Sequence, residues 1–261
     1  MALVLYHNHA STCSQKVRIC LAEKGVPWEG RNIDLGAREN LGPDYLAINP
    51  NGVVPAMAHD GRIVIESTVM CEYIEEVWPT APRLSPADPV DRARMRAWLR
   101  YIDEVPSMGI RVPTFNDLLL PSFRRMNEAE FARFADANPL RRQFFLRMGR
   151  EGFSAQEYDI AMKQLDQAVE RMEAALANGP WLVGEQYTIA DICIVPVFQR
   201  MDDLGMWQVW EGKAPRVTDW YARLRARPAY KAAFYPGTRM TELFPQLAEK
   251  QRARKAARAA E

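Results

Sequence analysis

The sequence predicts a small α/β domain followed by an all-helical domain. Three observations carry this prediction: strand and helix periodicities alternate through the first 80 residues, four prolines fall within residues 79–89, and the later apolar patterns have the helical period. A chain of 261 residues with 48% apolar content can bury a core of the necessary size. We therefore divide the chain into a small α/β domain at 1–80, a linker at 81–89, a helical domain at 90–240 and a basic helical tail at 241–261.

The first domain begins with a strand and a helix. Residues 3–8 (LVLYHN) are apolar in the manner of a strand. The helix behind them has its apolar face at Val17, Cys20 and Leu21. It is predicted to end at Gly25, because a residue without Cβ readily takes the left-handed conformation of a helix cap.

A second strand, a hairpin and a helix complete this domain. Residues 28–34 predict a weaker strand, followed by a short helical stretch that stops before Pro50. Apolar runs on both sides of Asp60-Gly61 predict an antiparallel hairpin, since this dipeptide suits a tight turn. A helix then begins at Ser67. The order βαβ followed by ββα implies a mixed sheet whose first two strands are parallel.

Capping signals organise the second domain. Asp88-Pro89 supplies an N-cap and a first-turn proline, and Ser154 with Glu157 forms a capping box. Segment 106–153 is less regular. Its phenylalanines are typical of ordinary core, yet an insert between two helices can also wall an apolar pocket, and both interpretations stay open. The basic stretch at the end of the chain is expected to be a solvated or frayed helix.

Composition and short motifs exclude several classes of function. The formal net charge is +1, so nothing predicts a nucleic-acid partner, and small neutral or zwitterionic ligands fit better. The four cysteines form no C-x-x-C pair, which indicates a reducing compartment. We find no secretory leader and no apolar run of bilayer length, and expect a cytoplasmic protein without membrane association. His7, His9 and Cys13 lack further ligands nearby, so no metal is predicted.

Four motifs in order resemble those of the cytosolic glutathione S-transferases. They are Ser11 ahead of VRI at 17–19, NPNGVVP at 49–55, Glu66-Ser67 at a helix start, and TIAD at 188–191. The resemblance implies a thioredoxin-like domain joined to a helical bundle, with glutathione as cosubstrate and a small aromatic electrophile as the second substrate. It also implies a dimer, whose partner is either an identical chain or a related one.

Within that superfamily, three parts of the chain look most like the bacterial β-etherases. They are residues 59–79, residues 85–98 and the insert before Ser154. The resemblance implies that glutathione displaces a phenol from the β-carbon of a lignin-derived β-aryl ether. Residues 11–14 (STCS) depart from that subgroup and look more like the zeta-type pattern. A zeta-like isomerisation, another glutathione conjugation and non-catalytic ligand binding are therefore the alternatives.

Two motifs carry groups that suit glutathione. If the peptide bond between Val54 and Pro55 is cis, Val54 turns one donor and one acceptor out of the sheet toward an extended peptide. The Glu66 carboxylate can take an ammonium group, while the Ser67 hydroxyl and the N–H groups at the helix start can take a carboxylate. Together they are expected to bind the γ-glutamyl head. Taken singly, the same residues also fit an ordinary loop and helix cap.

The resemblance places the hydroxyl that activates the bound thiol at Ser11, six residues before Val17. A hydroxyl donor at a helix N-terminus can lower the pKa of a thiol by about one or two units. Ser14 is an alternative donor, because the loop into the helix can present either hydroxyl. Cys13 is the less favoured candidate and would act through a covalent intermediate, as cysteine does at the Ser11 position of thioltransferase-like relatives.

Overall fold

The computed structural model describes residues 2–80 and 82–258 of the chain. A mixed sheet of four strands forms the centre of the first domain. The strands are β1 (Leu3–His7), β2 (Glu29–Asn32), β3 (Ala56–His59) and β4 (Arg62–Ile65). Their order is β2-β1-β3-β4, with β1 and β2 parallel and the other two pairs antiparallel. The predicted mixed sheet is therefore confirmed.

The turn between β3 and β4 is formed by Asp60 and Gly61, with φ of 48° and 79°. A type I′ hairpin turn needs positive φ at both central positions, which Asp-Gly tolerates well. His59 pairs with Arg62 across the turn, so the predicted hairpin is confirmed.

Short and medium helices complete the first domain. They are α1 (Thr12–Lys24), α2 (Pro43–Leu46) and α3 (Ser67–Val77), with a 3-10 turn at Glu39–Leu41. Ser11 is the N-cap of α1, and Gly25 ends the helix with φ of 62°, as predicted. Residues 8–11 connect β1 to α1, so the helix begins close in sequence to the C-terminal end of β1.

The regular elements of the second domain are helices, and two isolated antiparallel bridges, Trp181 with Gly184 and Val183 with Gln186, lie in the loop at 179–188. Its α-helices are α4 (Pro89–Glu104), α5 (Pro106–Gly109), α6 (Arg111–Thr114), α7 (Leu120–Arg124), α8 (Glu128–Asp136), α9 (Arg142–Met148), α10 (Ala155–Ala175), α11 (Ile189–Leu204), α12 (Pro215–Ala226), α13 (Pro228–Ala233), α14 (Met240–Leu243) and α15 (Pro245–Arg258). A π-helical turn (Phe115–Leu119) follows α6, and 3-10 turns lie at Leu176–Asn178 and Trp207–Val209. The capping box of Ser154 and Glu157 is present at the start of α10.

Helix α11 is the centre of the core, since every one of its residues is buried. α1 packs against both α11 and α13, so apolar side chains of the two domains join in one hydrophobic cluster. At the start of α11, the Asp191 carboxylate accepts hydrogen bonds from the Leu182 N–H (3.0 Å) and the Trp220 indole (2.9 Å). Burial raises the pKa of Asp191 to about 6. The shared hydrophobic cluster means that the two domains have a common interior.

Segment 106–153 has a separate hydrophobic cluster of its own, built largely from phenylalanines. Its buried members include Phe123, Phe131, Phe145 and Phe153, and Phe144 packs at its edge. The ring centroids of Phe144 and Phe145 are 5.4 Å apart. The interpretation of these aromatics as ordinary core is therefore confirmed for most of them.

The basic C-terminal stretch forms helix α15, which packs against α11. Leu247 is buried, and the Gln251 amide donates a hydrogen bond to the Asp203 carbonyl oxygen (2.9 Å). The expectation of a solvated or frayed tail concerns residues 250–261: Gln251 is held to α11, Arg252, Ala253 and Ala256 are exposed, and residues 259–261 lie outside the described part of the chain. In the described parts of the chain, no helix is long and apolar enough to cross a membrane.

Candidate functional site

A cavity of about 520 Å³ lies where the two domains meet. The first domain contributes the start of α1, the loop before β3 and the start of α3. The second domain contributes the end of α4, the helices that follow it, and residues 140–147. The insert therefore does wall a pocket, in addition to forming its own core.

The loop before β3 contributes a residue, Val54, whose N–H and C=O are both unpaired in the described chain. The bond between Val54 and Pro55 is cis, and both residues line the cavity. The Val53 carbonyl accepts hydrogen bonds from the Tyr45 hydroxyl and the Asn49 amide, each at 2.7 Å, which fixes the loop. Within the described residues, the N–H and C=O of Val54 have no hydrogen-bond partner. They form a free donor and acceptor for an extended peptide.

The start of α3 brings a carboxylate and a hydroxyl to the same cavity. Glu66 is the N-cap of α3 with φ of 70° and ψ of 115°, and Ser67 is the first helical residue. A non-glycine residue at positive φ is uncommon, and such backbone is concentrated at ligand sites. The Glu66 Oε1 is 3.4 Å from the Asn51 side-chain amide, while Ser67 is buried. Val54, Pro55, Glu66 and Ser67 therefore meet in one place.

The three candidates at the start of α1 have different surroundings. Of the described residues in this turn, Cys13 lines the cavity, whereas Ser11 and Ser14 do not. The Ser11 Oγ accepts a hydrogen bond from the Ser14 N–H (3.3 Å), so Ser11 caps the helix. Ser14 is fully buried, and its Oγ accepts from the Asn8 N–H (3.2 Å). Which of them activates a thiol stays a prediction.

Two backbone donors are also available at this helix start. The N–H groups of Thr12 and Cys13 have no hydrogen-bond partner among residues 2–80 and 82–258. Unpaired N–H groups in the first turn of a helix attract negative charge, with help from the helix dipole. The turn is therefore a favourable place for a thiolate, whichever hydroxyl stands beside it.

An ion pair between a buried lysine and an exposed aspartate connects α1, α3 and α4 at the cavity. The Lys16 Nζ is 2.7 Å from an oxygen of Asp103, and the Lys16 side chain is 1% exposed. The other Asp103 oxygen accepts a hydrogen bond from the Thr68 hydroxyl (2.9 Å). Burial acts to lower the pKa of Lys16, but Cys13 and Asp103 outweigh it and raise the pKa. Local sequence patterns do not reveal this network, because its members lie on three separate helices.

The loop into α1 is fixed by arginines from below. The Arg18 guanidinium donates to the carbonyl oxygens of His9 (2.8 Å) and Ala233 (3.0 Å), and approaches His7 Nδ1 at 3.2 Å. Arg200, on α11, donates to the Ala10 carbonyl oxygen. Burial, then the Arg18 charge, lowers the pKa of His7 to about 4, so this imidazole is neutral. His7 and His9 serve this loop, and the described residues contain no His, Cys, Asp and Glu group able to hold a metal.

Three arginines face the cavity from the second domain, and none of them was predicted. Arg147 forms an ion pair with Glu157 at 2.9 Å. Arg111 and Arg141 also line the cavity, yet in the described chain neither has a carboxylate within ion-pair distance. The Arg111 Nη1 lies 3.0 Å from the Met108 sulfur instead. Apolar periodicity carries no signal for such residues.

The chain matches both halves of one family. The glutathione S-transferase N-terminal domain matches residues 10–77, and the glutathione S-transferase C-terminal domain matches residues 137–228. These two regions contain Cys13, Val54, Glu66, Ser67 and Arg141, and so most of the cavity.

Individual relatives agree with this match. Protein LigF of Sphingobium sp. is 33% identical over 240 residues, which cover 90% of this chain and 93% of LigF. A tetrachloro-p-hydroquinone reductive dehalogenase of Sphingobium chlorophenolicum is 29% identical, covering 88% of this chain and 94% of that protein.

Solved structures show the same relationship. The crystal structure of the β-etherase LigF superposes with a TM-score of 0.80 at 32% identity, covering 90% of this chain and 99% of LigF. A zeta-class maleyl pyruvate isomerase superposes with a TM-score of 0.66 at 26% identity, covering 90% of this chain and 99% of that one. The family binds glutathione as cosubstrate, and one bacterial structure of this fold contains it. From the two domain matches and the LigF identity, the chain belongs to the glutathione S-transferase family.

Proposed function

We propose that the protein is a β-etherase, which uses glutathione to release a phenol from lignin-derived β-aryl ethers. The observation that carries the proposal is one cavity in which Val54, Glu66 and Ser67 face an aromatic-bearing wall at Phe144. The similarity to the β-etherase LigF supports the choice of reaction.

Glutathione is held by the first domain in this proposal. Val54 donates and accepts one hydrogen bond with the main chain of the peptide, as an added strand would. Glu66 pairs with the α-ammonium group. Ser67 and the N–H groups at the start of α3 take the α-carboxylate of the γ-glutamyl residue. The sulfur then lies toward the start of α1.

The thiolate is stabilised at the start of α1. We assign the donor role to the Ser11 hydroxyl, because its capping bond uses an oxygen lone pair and leaves its proton free to donate. The N–H groups of Thr12 and Cys13 add partial positive charge. Ser14 is the alternative donor, although its burial requires the turn to move before it reaches a ligand.

The reaction is a displacement at carbon. The thiolate attacks the β-carbon, a C–S bond forms as the C–O bond breaks, and the electron pair leaves on the phenoxide, which then takes a proton. A neighbouring ketone activates the carbon. Holding sulfur, carbon and leaving oxygen in line supplies several kcal/mol of the barrier reduction, to order of magnitude, and excluding water removes competing solvation. Attack from the back inverts the carbon centre.

The test is the reaction of a racemic β-aryl ether ketone with glutathione and the purified protein. Phenol release and the remaining substrate are followed by chiral chromatography. One enantiomer should be consumed much faster, because a fixed sulfur reaches one face of a substrate held by its rings. If neither enantiomer gives phenol above the enzyme-free control, the etherase activity is wrong and the family assignment is unaffected.

Three further assignments belong to this proposal. We propose a dimer, either of two identical chains or with a related chain, which light scattering of the purified protein checks. We propose a cytoplasmic location, with which four free thiols are compatible. We also propose a role in the breakdown of lignin-derived aromatic compounds, which follows from the substrate class.

Cys13 supports a second candidate, a glutathione-dependent reduction. It lines the cavity as a free thiol. A cysteine thiolate there can attack the sulfur of a glutathione conjugate, so that a mixed disulfide forms and the organic group leaves with the electron pair and a proton. The thiolate of a second glutathione then attacks the glutathione sulfur of the mixed disulfide, which forms glutathione disulfide and returns Cys13 to its thiol. Mass spectrometry that finds glutathione on Cys13 during turnover would favour this reaction over displacement.

A further inference from the structure

Arg111 and Arg141 are two positive charges that share one cavity, and among the described residues neither has a carboxylate within ion-pair distance. Arg111 belongs to α6 and Arg141 is the N-cap of α9, and both are partly buried at the cavity wall. Of the carboxylates that line the same cavity, Asp103 is occupied by Lys16 and Thr68. Glu66 is assigned to glutathione. The arginine pair is therefore left with its charge uncompensated.

Both guanidinium groups line the same cavity as Cys13, and their charges interact with each other. Burial and, after it, the Arg111 charge lower the pKa of Arg141 to about 10, while Cys13 and Glu66 act to raise it. Burial lowers the pKa of Arg111 as well, opposed by Cys13 and Asp103. Both groups remain charged at neutral pH. Two like charges in a partly buried place are costly unless a ligand of opposite charge joins them.

An aromatic ring lies beside the pair. The Arg111 guanidinium carbon is 5.6 Å from the centroid of the Phe144 ring, and Phe144 also lines the cavity. A substrate ring that packs on Phe144 would bring a ring substituent next to a planar guanidinium, which binds carboxylates through two parallel hydrogen bonds. The place thus combines an aromatic surface with an anion acceptor.

We propose that Arg111 and Arg141 form a subsite for a carboxylate carried by the aromatic electrophile, so that the preferred substrates are anionic aromatic compounds. This inference rests on the proposed function for the identity of the second substrate class. The glutathione α-carboxylate already has Ser67 and the start of α3 as partners. In the proposed binding mode the γ-glutamyl end lies at Glu66 and the peptide passes Val54, so its glycine end is directed away from Glu66, whereas the Arg141 charge interacts with Glu66. The electrophile is therefore the source of the anion.

The test uses binding, so it does not depend on turnover. S-(4-carboxybenzyl)glutathione and S-benzylglutathione differ only by the carboxylate, and calorimetry gives the affinity of the full-length protein for each. We expect the carboxylated compound to bind about tenfold or more tightly, as charge-assisted hydrogen bonds do. Arg111→Gln and Arg141→Gln should each remove most of that preference and leave the affinity for S-benzylglutathione within about twofold of the original value.

Arg147→Gln is the matched control, because Arg147 lines the same cavity but is already paired with Glu157. It should retain the preference. The proposal is overturned if the original protein binds both compounds equally, or if Arg147→Gln loses as much preference as the other two variants. If Arg111→Gln and Arg141→Gln weaken glutathione and both conjugates alike, the carboxylate belongs to glutathione and the proposal is wrong. A preference that persists without phenol release would refute the etherase activity alone.

Discussion

The two sides of the cavity present different kinds of atoms to their ligands. The first domain offers mainly backbone groups, such as the unpaired peptide of Val54 and the N–H groups at the starts of α1 and α3. The second domain offers side chains on short helices, above all Arg111, Arg141 and Phe144. In the proposed function, the backbone groups bind glutathione, which is common to every reaction. The side chains face the variable second substrate, and single mutations can change them. We therefore expect changes on the two sides to have separable effects.

The junction of the two sides should show the largest effect. Asp103→Asn leaves the Lys16 ammonium buried without its carboxylate, and the free energy of unfolding should fall by about 3 kcal/mol. Denaturant unfolding measures the loss. Asp91→Asn is the matched control on α4, because its ion pair with Arg94 is exposed and should cost less than about 0.5 kcal/mol. Equal losses in the two variants would mean that the Lys16 pair does not join the domains.

Protonation of His7 at acidic pH should lower the free energy of unfolding, and His7 belongs to the first domain. Its pKa is lowered to about 4 by burial and then by Arg18, so His7 supports the folded state fully above its ordinary value of 6.5. This support is lost as pH falls from 6.5 through 4, by about 2 kcal/mol in order of magnitude. Asp191 acts in the opposite direction, since its raised pKa of about 6 makes stability decrease as pH rises from about 4 to 6.

The His7 contribution can be isolated by comparing the free energies of unfolding of the wild type and of His7→Gln. The wild type and His7→Gln share Asp191, so the difference of their unfolding free energies, measured across this pH range, contains the His7 contribution. We expect His7→Gln to lose less stability on acidification. Parallel pH profiles for the two proteins would contradict the assignment of this acid sensitivity to His7.

Removing the proposed acceptor of the ammonium group should weaken the binding of glutathione. Glu66→Ala takes away a carboxylate at the start of α3, and we expect the glutathione Kd to rise about tenfold. Glu76→Ala makes the same change of charge on α3 outside this cavity and should leave Kd within about twofold. Calorimetry decides, and unchanged affinity for Glu66→Ala would remove this residue from the site.

The thiol donor can be identified by comparing three neighbours. Ser11→Ala should raise the apparent pKa of bound glutathione thiol by about one unit and slow turnover about tenfold, because the thiolate loses a hydrogen bond. Cys13→Ala should have a smaller effect under the displacement mechanism. Thiolate absorbance against pH measures the first quantity. An inactive Cys13→Ala beside an active Ser11→Ala would establish the covalent alternative, and loss with Ser14→Ala alone would move the donor role there.

The smallest expected effect tests the aromatic wall. Phe144→Leu should raise KM for an aromatic electrophile about threefold to fivefold, since an aromatic pair contributes about 0.5–1.5 kcal/mol beyond its buried area. The glutathione Kd should not change. Phe145→Leu is the control, because Phe145 is buried in the adjacent core and its loss should lower stability without raising KM. A change in glutathione affinity with Phe144→Leu would contradict the separation of the two sides.

The same contrast decides how much was predictable from sequence. The mixed sheet, the hairpin at Asp60-Gly61 and the helix end at Gly25 follow from local propensity, and all are confirmed. Val54 and Glu66 stand in short motifs whose spacing is itself the signal, so their meeting in one cavity was within reach.

The second side was beyond such reasoning for a physical reason. Arg111 and Arg141 belong to different short helices of an irregular segment and come together only when the whole segment folds. The segment was expected to supply either core or an apolar wall, whereas it supplies both a core and a charged wall. Likewise, Ser11 and Cys13 differ in whether they line the cavity, and position in the sequence does not determine which side chain a helical turn aims inward.

The separate phenylalanine cluster of segment 106–153 has a consequence for how such an enzyme can diverge. Because the residues that shape the proposed electrophile wall rest on a core of their own, mutations there need not disturb the interior shared by α1 and α11. Mutations that change the substrate preference can therefore occur with little effect on folding or on the binding of glutathione. A lineage exposed to unfamiliar aromatic compounds would be expected to accumulate its substitutions in this segment first.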